Sequence, residues 1–210
     1  MEIKLRQFMP QGFSANCYAV SSKDDIALID VGTATSEIIE FVKQNSSKIK
    51  YILLTHDHFD HICGVPQIIK HCNAKIGIHK NDANGLIDST YSLSAMAGLA
   101  QPQLIPDYTF ADGDTLQFGD GEIRVMHTPG HTDGCVCYRM DDILFSGDTL
   151  FFESVGRTDF ITGDSATLLN SLKRIIKLKG ITRVYTGHGE STTLEHEREH
   201  NFFINYENIY

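Results

Sequence analysis

The sequence predicts a protein of the α+β class, in which short strands and amphipathic helices share one chain. Apolar runs separated by turns, such as Cys17 to Val20 and Ile26 to Ile29, open the chain and are typical of a meander of short strands. Other segments place their apolar residues at helical spacing. Polar clusters follow several of the buried strands, and this is where open sheets place their ligand sites.

The first half of the chain predicts five strands and two helices. The strands are expected at residues 3–8, 17–20, 26–29, 49–54 and 75–79. Thr35-Ser36-Glu37 is typical of a helix start, and Gly64 with Pro66 opens a second helix. Tyr91 to Leu99 is small, apolar and bounded by Gly and Pro. It predicts a loop or short helix over the site, which either lines a substrate pocket or is an ordinary surface connection.

The second half predicts further hairpins and two helices. The strands are expected at residues 115–118, 122–126, 135–140, 143–146 and 183–186. Gly119-Asp120-Gly121 and Asp141-Asp142 are the turns of two hairpins, and residues 151–163 are expected to form a loop. An amphipathic helix is predicted at 165–179 and a closing helix at 195–205, followed by a tail at 206–210.

A dense run of metal-binding side chains follows the strand at 51–54. The segment from Thr55 to Ile62 contains three imidazoles and two carboxylates, and its candidate ligands are His56, His58, Asp60 and His61. A surface loop that is rich in His and Asp by chance, or a structural site for one ion, would explain such a density poorly. We therefore predict a site for two divalent ions. Imidazole and carboxylate without thiolate favour zinc, with iron and manganese as alternatives.

Three further candidate ligands also follow predicted strands. Pro129-Gly130 forms a turn that can direct His131 away from its strand, whereas His127 lies in line with the strand and suits a supporting or packing role. Asp148 follows the strand at 143–146, and a carboxylate there can bridge two cations roughly 3.5 to 4 Å apart. His188 lies between two glycines, which leave it room to approach a metal.

Length and composition limit the classes of function. A chain of 210 residues with 41% hydrophobic residues predicts one domain that spans 1–210. The net charge of -9 provides no general attraction for a polyanion, which argues against nucleic acid as a partner. The opening residues lack a secretory signal, and no window approaches the roughly 18 apolar residues of a spanning helix. The five cysteines form no disulfide framework, so a cytoplasmic protein without membrane contact is expected.

The ordered set of motifs resembles the metallo-beta-lactamase superfamily. The matching motifs are His56-x-His58-x-Asp60-His61, Thr128-Pro129-Gly130-His131, Ser146-Gly147-Asp148 and Gly187-His188-Gly189. The resemblance implies a four-layer αββα sandwich with two metals at one edge. It also implies one metal held by three histidines, a second held by an aspartate and two histidines, and a bridging aspartate. The three histidines of the first metal are His56, His58 and His131. The ligands of the second metal are Asp60, His61 and His188, and the bridging aspartate is Asp148.

Within the superfamily the chain is most similar to glyoxalase II-like hydrolases of the short bacterial form. The supporting stretches include Asn16-Cys17-Tyr18 and Gly156-Arg157-Thr158-Asp159-Phe160. The resemblance implies cleavage of a hydroxyacyl thioester such as S-lactoylglutathione. Glutathione-dependent members carry an additional helical region, and Lys and Tyr in the loop after the bridging aspartate, where this chain has Arg157 and Phe160. Arg157 is therefore the candidate substrate-binding residue, and thioester hydrolysis is better supported than glutathione recognition.

The predicted site suits hydrolysis of a small-molecule acyl thioester. Two cations that share a water lower its pKa towards neutrality and provide hydroxide as the nucleophile. Asp60 is the candidate catalytic residue, which orients this hydroxide or receives its proton. A thiol has a pKa of about 8.5, so a thiolate leaves with little protonation. An amide or lactam needs more assistance, and the thioester is favoured for that reason.

Other functions of the same fold remain as alternatives. A persulfide dioxygenase uses a single iron and would leave Asp60, His61 and His188 without a direct metal role. A lactonase or another esterase would use the same ligands, because they leave the choice of substrate to the pocket. A nuclease is disfavoured by the net charge. A binding module without catalysis would be expected to lose ligands, and none of the seven is missing.

Overall fold

Two β-sheets lie face to face at the centre of the molecule, and helices cover their outer faces. The structure is a computed structural model that describes residues 1–205. Its layers run in the order helix, sheet, sheet, helix, and the two sheets hold six and five strands. The predicted α+β class and the four-layer αββα sandwich are confirmed.

The first sheet begins as an antiparallel meander and continues with parallel strands. Its strands, in spatial as well as chain order, are β1 (Lys4–Phe8), β2 (Cys17–Ser22), β3 (Asp25–Ile29), β4 (Ile49–Leu53), β5 (Lys75–His79) and β6 (Tyr108–Phe110). The pairs β1–β2 and β2–β3 are antiparallel, and each later pair is parallel. The carboxyl ends of β3, β4, β5 and β6 therefore meet at one edge of the sheet.

The second sheet is formed by the second half of the chain. Its strands are β7 (Thr115–Phe118), β8 (Gly121–His127), β9 (Val136–Met140), β10 (Ile143–Gly147) and β13 (Arg183–Thr186), in the spatial order β13-β10-β9-β8-β7. The pair β10–β13 is parallel, so both strands end at the same edge. A separate small hairpin consists of β11 (Leu150–Phe151) and β12 (Ser154–Val155).

The helices are short, and several begin with a side-chain cap. They are α1 (Ser36–Gln44), α2 (Phe59–Ile62), α3 (Val65–Ile68), α4 (Ser165–Ile175), α5 (Leu194–His200) and α6 (Phe202–Asn205), with a 3-10 helix at Ala83–Leu86. The Thr35 hydroxyl accepts the N–H of Ile38 at the start of α1, as the sequence predicts. Asp164 and Thr193 cap α4 and α5 in the same way, which satisfies backbone donors that have no partner within the helix. None of the helices among residues 1–205 has the length and apolar character needed to cross a bilayer.

The strands are apolar on both faces because each sheet lies between two other layers. In β2, for example, Tyr18 and Val20 pack between the sheets, whereas Cys17 and Ala19 face the layer that contains α1 and α3. A third core lies between the second sheet and α4, where Leu168 and others are buried. Strands of this kind appear in a sequence as continuous apolar runs.

Two short strand pairings were missed by sequence patterns. The strand β6 has three residues and pairs with β5 at the end of the first sheet. The hairpin of β11 and β12 begins at Leu150 and occupies the start of the segment 151–163, for which the sequence predicts a loop. Runs of two or three residues are too short to show a period of two. Only their partners in space identify them as strands.

The two long helices predicted near the carboxyl end are shorter in the structure. The helix predicted at 165–179 ends at Ile175, and the Arg198 guanidinium donates to the carbonyls of Ile176 and Leu178 beyond it. The helix predicted at 195–205 is divided at Asn201, which is extended and accepts the Phe203 N–H through its side chain. Asn201 thereby starts a new helix. The tail predicted at 206–210 lies outside the described residues.

Candidate dinuclear metal centre

All seven predicted ligands meet at the edge where the two sheets end. Asp60 and His61 lie in the short helix α2, and the other five lie on the loops that follow β4, β8, β10 and β13. Their ligand atoms form three overlapping groups, and the atoms of each group lie within 4.8 Å of one another. The groups are His56, His58 and His131; His56, His61 and Asp148; and Asp60, His61 and His188.

Three imidazole nitrogens form the first group. The Nδ1 atom of His58 lies 3.2 Å from Nε2 of His56 and 2.9 Å from Nε2 of His131. All three side chains are buried. Ring nitrogens this close need a hydrogen or a cation between them, so the protonation of each ring decides what the group can bind.

Hydrogen bonds on the far side of the rings determine the protonation of two of these nitrogens. The Thr55 hydroxyl donates to Asp30, and so its oxygen accepts from Nδ1 of His56, 3.1 Å away. Nδ1 of His131 donates to the backbone carbonyl of Arg157 at 2.7 Å. A neutral imidazole carries one proton, so the Nε2 atoms of His56 and His131 both present lone pairs. The group thus has at most one hydrogen for three nitrogens and is suited to a metal ion.

The group of Asp60, His61 and His188, called the second group below, combines two imidazoles with a carboxylate. Nε2 of His188 lies 3.1 Å from Oδ2 of Asp60, and Nε2 of His61 lies 4.0 Å from the same oxygen. Gly187 allows His188 to approach, because a Cβ at this position would collide with the carboxylate of Asp148. The second group is more exposed than the first, since His188 and Asp60 are both only partly buried.

His61 provides the strongest structural indication of a cation. Its Nδ1 lies 2.8 Å from Oδ2 of Asp30, and its Nε2 lies 3.3 Å from Oδ1 of Asp148. In the neutral ring Nδ1 donates to Asp30, so Nε2 is a lone pair that faces a carboxylate oxygen. Both of these atoms are buried without a hydrogen-bond partner. A buried pair of acceptors is costly, so either a proton on Nε2 or a metal ion is needed between the two atoms.

The Asp148 carboxylate contacts both groups. Oδ2 of Asp148 lies 3.5 Å from Nε2 of His131 in the first group and 3.6 Å from Nε2 of His188 in the second. Burial raises its pKa, but the neighbouring imidazoles of His61, His131 and His188 outweigh burial and hold the pKa well below the usual range. Asp148 is therefore an anion at neutral pH and lies in the position of a bridge between two ions.

The protonation of the buried histidines also favours metal binding in the first group. Burial lowers the pKa of His58 to about 3, with a further decrease caused by His131. Burial also lowers the pKa of His56 and that of His131 below the usual value. These rings are neutral near pH 7, and the neutral ring is the form that binds metals. For His61, burial opposes the charged form, but Asp30, Asp148 and Asp60 raise its pKa well above the usual value.

The donor set fits two divalent ions of borderline or hard character. It consists of five imidazoles and two carboxylates and contains no thiolate. Cys135 and Cys137, which share a strand region, are fully buried, and their sulfurs bond to Thr132, Thr128 and the carbonyl of Ser146. They are packed, free thiols and are not among the candidate ligands. Cys63 lies nearer and lines a small cavity beside Asp60.

A groove of about 990 Å³ opens onto the ligand set. Five of the seven candidate ligands line it, and the predicted loop at Tyr91 to Leu99 supplies Leu93, Met96, Ala97 and Leu99. This loop therefore lies at the site and is not an ordinary surface connection. Arg157 also lines the groove. Its side chain forms a two-point ion pair with Asp159 and lies over the Phe160 ring.

Several residues that support the site were not singled out from the sequence. Asp30 and Thr55 orient His56 and His61, the backbone of Arg157 orients His131, and Phe13 forms part of the groove. Asp30 ends a strand parallel to the one before the histidine run. The position of Asp30 at the end of this strand could therefore have identified it from the sequence. The backbone carbonyl of Arg157 could not be identified in this way, because every residue has a backbone carbonyl.

Comparison with known proteins assigns the family. The sequence pattern of the metallo-beta-lactamase superfamily matches residues 10–188, and the chain belongs to this superfamily. It is 34% identical over 202 residues to the "Probable metallo-hydrolase YqgX" of Bacillus subtilis. This alignment covers 94% of this chain and 96% of the relative. It is 30% identical over 199 residues to the "Hydroxyacylglutathione hydrolase GloC" of Haemophilus influenzae, with 92% and 94% covered. The resemblance to a glyoxalase II-like member is confirmed at this level of identity.

Solved structures agree with this assignment. The BLEG-1 B3 metallo-beta-lactamase superposes with a TM-score of 0.88 at 32% identity, and the match covers 96% of this chain and 99% of that one. TTHA1623 in a di-iron-bound form superposes with a TM-score of 0.83 at 32% identity, with 94% and 99% covered. The class of protein is thus a metal-dependent hydrolase of this superfamily.

Proposed function

We propose that the protein is a dinuclear hydrolase that cleaves a hydroxyacyl thioester such as S-lactoylglutathione. The observation that carries the proposal is the position of Asp148, whose carboxylate contacts an imidazole of each ligand group at the floor of a groove of small-molecule size. The similarity to a hydroxyacylglutathione hydrolase over nearly the whole chain supports the reaction type.

The proposed ligand assignment follows the two groups. One ion would be held by His56, His58 and His131, the other by Asp60, His61 and His188, with Asp148 between them. Zinc is our first choice for this nitrogen and oxygen donor set, and manganese also suits it. Iron is a strong alternative, because a related structure holds two irons. When bound, two such ions lower the pKa of a shared water and polarise a carbonyl group.

Asp60 is the residue proposed to handle the proton of the nucleophilic water. Burial raises its pKa, but His61 and His188 outweigh burial and lower the pKa below the usual value. Asp60 is therefore an anion at neutral pH, and its Oδ2 atom, 3.1 Å from Nε2 of His188, can orient the water and accept its proton. Its partial exposure at the groove is compatible with this role.

The polar residues of the groove favour a good leaving group. Outside the ligand set, the polar side chains that line the groove among the described residues are Ser14, Ser154 and Arg157. None of these is an acid of suitable pKa to protonate an amide nitrogen as it leaves. A thiolate needs little protonation, since its conjugate acid has a pKa of about 8.5. The composition of the groove therefore supports a thioester over a lactam.

Arg157 is proposed to bind substrate as part of the groove wall. Its guanidinium lies 4.1 Å from the centroid of the Phe160 ring, and Phe160 in turn contacts His58. The two side chains form one surface beside the first ligand group. A substrate whose scissile bond lies at the candidate metal ligands would contact this surface with the atoms that adjoin the bond.

Hydrolysis of S-lactoylglutathione by the metal-reconstituted protein tests the proposal. We expect turnover with two ions bound per chain and a loss of at least roughly a hundredfold for His58→Ala, because a ligand of the first group is removed. His71→Ala, which changes a histidine outside the groove, is the matched control and should retain activity. Absence of thioester turnover with two ions bound would contradict the thioesterase. A single iron with oxygen uptake on glutathione persulfide would instead identify a dioxygenase.

A further inference from the structure

The walls of the groove are apolar on both sides of the candidate centre. Phe160 packs against His58 of the first ligand group, with ring centroids 5.4 Å apart, and Phe151 packs against His188 of the second, with centroids 6.1 Å apart. Phe13 and the Tyr91 to Leu99 loop complete the wall. A substrate whose carbonyl lies at the ligands thus meets apolar surface next to either group.

Several of these apolar side chains are exposed at the mouth of the groove. Phe13 is 88% exposed, Met96 is 68% exposed and Leu99 is 48% exposed. They come from two separate loops and converge on one cavity. Exposed apolar groups that cluster around a concave site are typical of ligand grooves, because an apolar ligand removes them from water.

The groove provides almost no charge to recognise an anionic carrier. Among the described lining residues outside the ligand set, Arg157 is the one charged side chain. Its Nε and Nη2 atoms each donate to Asp159 at 2.6 Å, so the pair has no net charge. Glutathione carries two carboxylates and an ammonium group that would need partners on this surface. The net charge of -9 adds a weak general repulsion of anions.

We propose that the groove selects thioesters with an apolar acyl chain on a thiol that carries no charged groups. This inference rests on the proposed thioesterase function and specifies its substrate class. S-lactoylglutathione, with a short polar acyl group and a charged carrier, would then be hydrolysed but would be a poor member of the class. Phe13 and Met96 are the residues proposed to set the preference, because both line the groove with largely exposed apolar side chains that a ligand can cover.

The expected size of the preference follows from apolar burial. A fully buried methylene contributes roughly fourfold to affinity. The groove is open to solvent, so we expect about half of this effect on a free-energy scale, which is roughly twofold per methylene. Extending an acetyl group to hexanoyl adds four methylenes and should raise kcat/KM by roughly tenfold or more.

Four thioesters test the inference with the metal-loaded protein. The acetyl and hexanoyl thioesters of N-acetylcysteamine are compared with the same two esters of glutathione. The hexanoyl ester of N-acetylcysteamine is expected to have the highest kcat/KM. The corresponding 2-oxoalkyl thioethers, which cannot be hydrolysed, are tested for binding by calorimetry, and the longer one should bind more tightly by a similar factor.

A pair of variants connects the preference to the groove. Phe13→Ser combined with Met96→Ser should reduce the ratio of hexanoyl to acetyl activity by roughly fivefold or more. Ile105→Ser is the matched control, because Ile105 is 82% exposed but does not line the groove. It should leave the ratio unchanged.

The outcomes separate this inference from the proposed function. Equal or better hydrolysis of the acetyl esters, or faster hydrolysis of the glutathione esters, would overturn the substrate class and leave the thioesterase intact. An unchanged ratio in the double variant would overturn the assignment to Phe13 and Met96. Hydrolysis of none of the four esters would overturn both the function and the inference that rests on it.

Discussion

Asp30 lies behind the ligand set, where it is buried and does not line the groove. Its Oδ1 accepts the Thr55 N–H at 2.8 Å, and its Oδ2 lies 2.7 Å from the Thr55 hydroxyl and 2.8 Å from Nδ1 of His61. It adopts a left-handed conformation with φ of 51°, which is uncommon for a residue other than glycine. One carboxylate thus orients His61 directly and His56 through Thr55.

We expect Asp30→Asn to weaken metal binding by roughly 10- to 100-fold, which is typical when a partner of a ligating histidine is changed. The amide can accept through only one atom, so when its oxygen serves the Thr55 hydroxyl and His61, its NH₂ group faces the Thr55 N–H, which loses its acceptor. Competition with a chromophoric chelator measures the affinity. Asp24→Asn is the control, since Asp24 is an exposed partner of Lys48. An affinity equal to that of the parent would show that Asp30 does not orient the ligands.

The candidate ligands were predictable from the sequence because their chemistry is distinctive. Five imidazoles and two carboxylates each follow a predicted strand, and strand ends collect at one edge of a sheet. The partners of those ligands were less accessible. Asp30 is 31 residues from His61 in the chain. The partner of His131 is the backbone carbonyl of Arg157, and every residue has such a carbonyl. Such partners are identified only when the fold brings them together.

The hairpin of β11 and β12 is attached to α5 by a buried carboxylate. Glu197 is fully buried and accepts from the Glu153 N–H, the Thr192 hydroxyl and the Asn201 side-chain amide. The hairpin supplies Phe151 and Val155 to the groove. The position of this wall therefore depends on a helix that does not itself reach the groove.

Glu197→Gln should lower the free energy of unfolding by about 2 kcal/mol, because its NH₂ group would face donors that need an acceptor. Urea denaturation measures the change. Glu195→Gln is the matched control on the same helix, since Glu195 is exposed. Equal midpoints for the two variants would show that the Glu197 network contributes little to stability.

Two buried acids, Asp57 and Asp82, lie next to the loop that carries His131. Asp82 accepts the Thr132 hydroxyl at 2.6 Å, and Asp57 lies close to it with one oxygen unpartnered. Burial raises the pKa of Asp82 to about 7, although hydrogen bonds from Thr132 and Gly134 act in the opposite direction. Burial and the charge of Asp82 raise the pKa of Asp57 well above the usual value. Both groups favour the protonated form in the folded protein.

This pair predicts a pH dependence of stability. A folded pKa above the unfolded value of about 3.9 means that the contribution of Asp82 is fully present below about pH 4 and is lost as the pH rises to about 7. Asp82→Asn cannot ionise, so its stability should fall less over this window than that of the parent. Urea denaturation at several pH values in a chelator measures this difference, with Asp24→Asn as the exposed control. Identical slopes for the parent and Asp82→Asn would contradict the prediction.

At the scale of elements, sequence patterns located long elements better than short ones. The strands with five or more residues were all predicted, because apolar runs of that length are distinctive. The three-residue β6 and the two-residue strands β11 and β12 were missed. Helix ends shifted where a distant side chain supplied the missing hydrogen bonds, as Arg198 does after α4. Local patterns carry no information about such tertiary partners.

At the scale of the whole molecule, the sandwich brings loops from both halves of the chain to one edge. The first sheet supplies the histidine run after β4, and the second supplies His131, Asp148 and His188. Neither sheet holds a complete set of ligands. The side chains of Asn16, which precedes β2, and of Tyr18 in β2 donate to the carbonyl of Thr186 in the second sheet, and these bonds connect the two sheets beside the site.

The number of metal ions per chain tests the central claim most directly. Native mass spectrometry of the protein after reconstitution with zinc counts the ions that stay bound. We predict two per chain, because His56, His58 and His131 form one group of ligand atoms, Asp60, His61 and His188 form another, and Asp148 contacts both. A mass that corresponds to one ion or none, with all seven candidate ligands intact, would contradict the dinuclear centre.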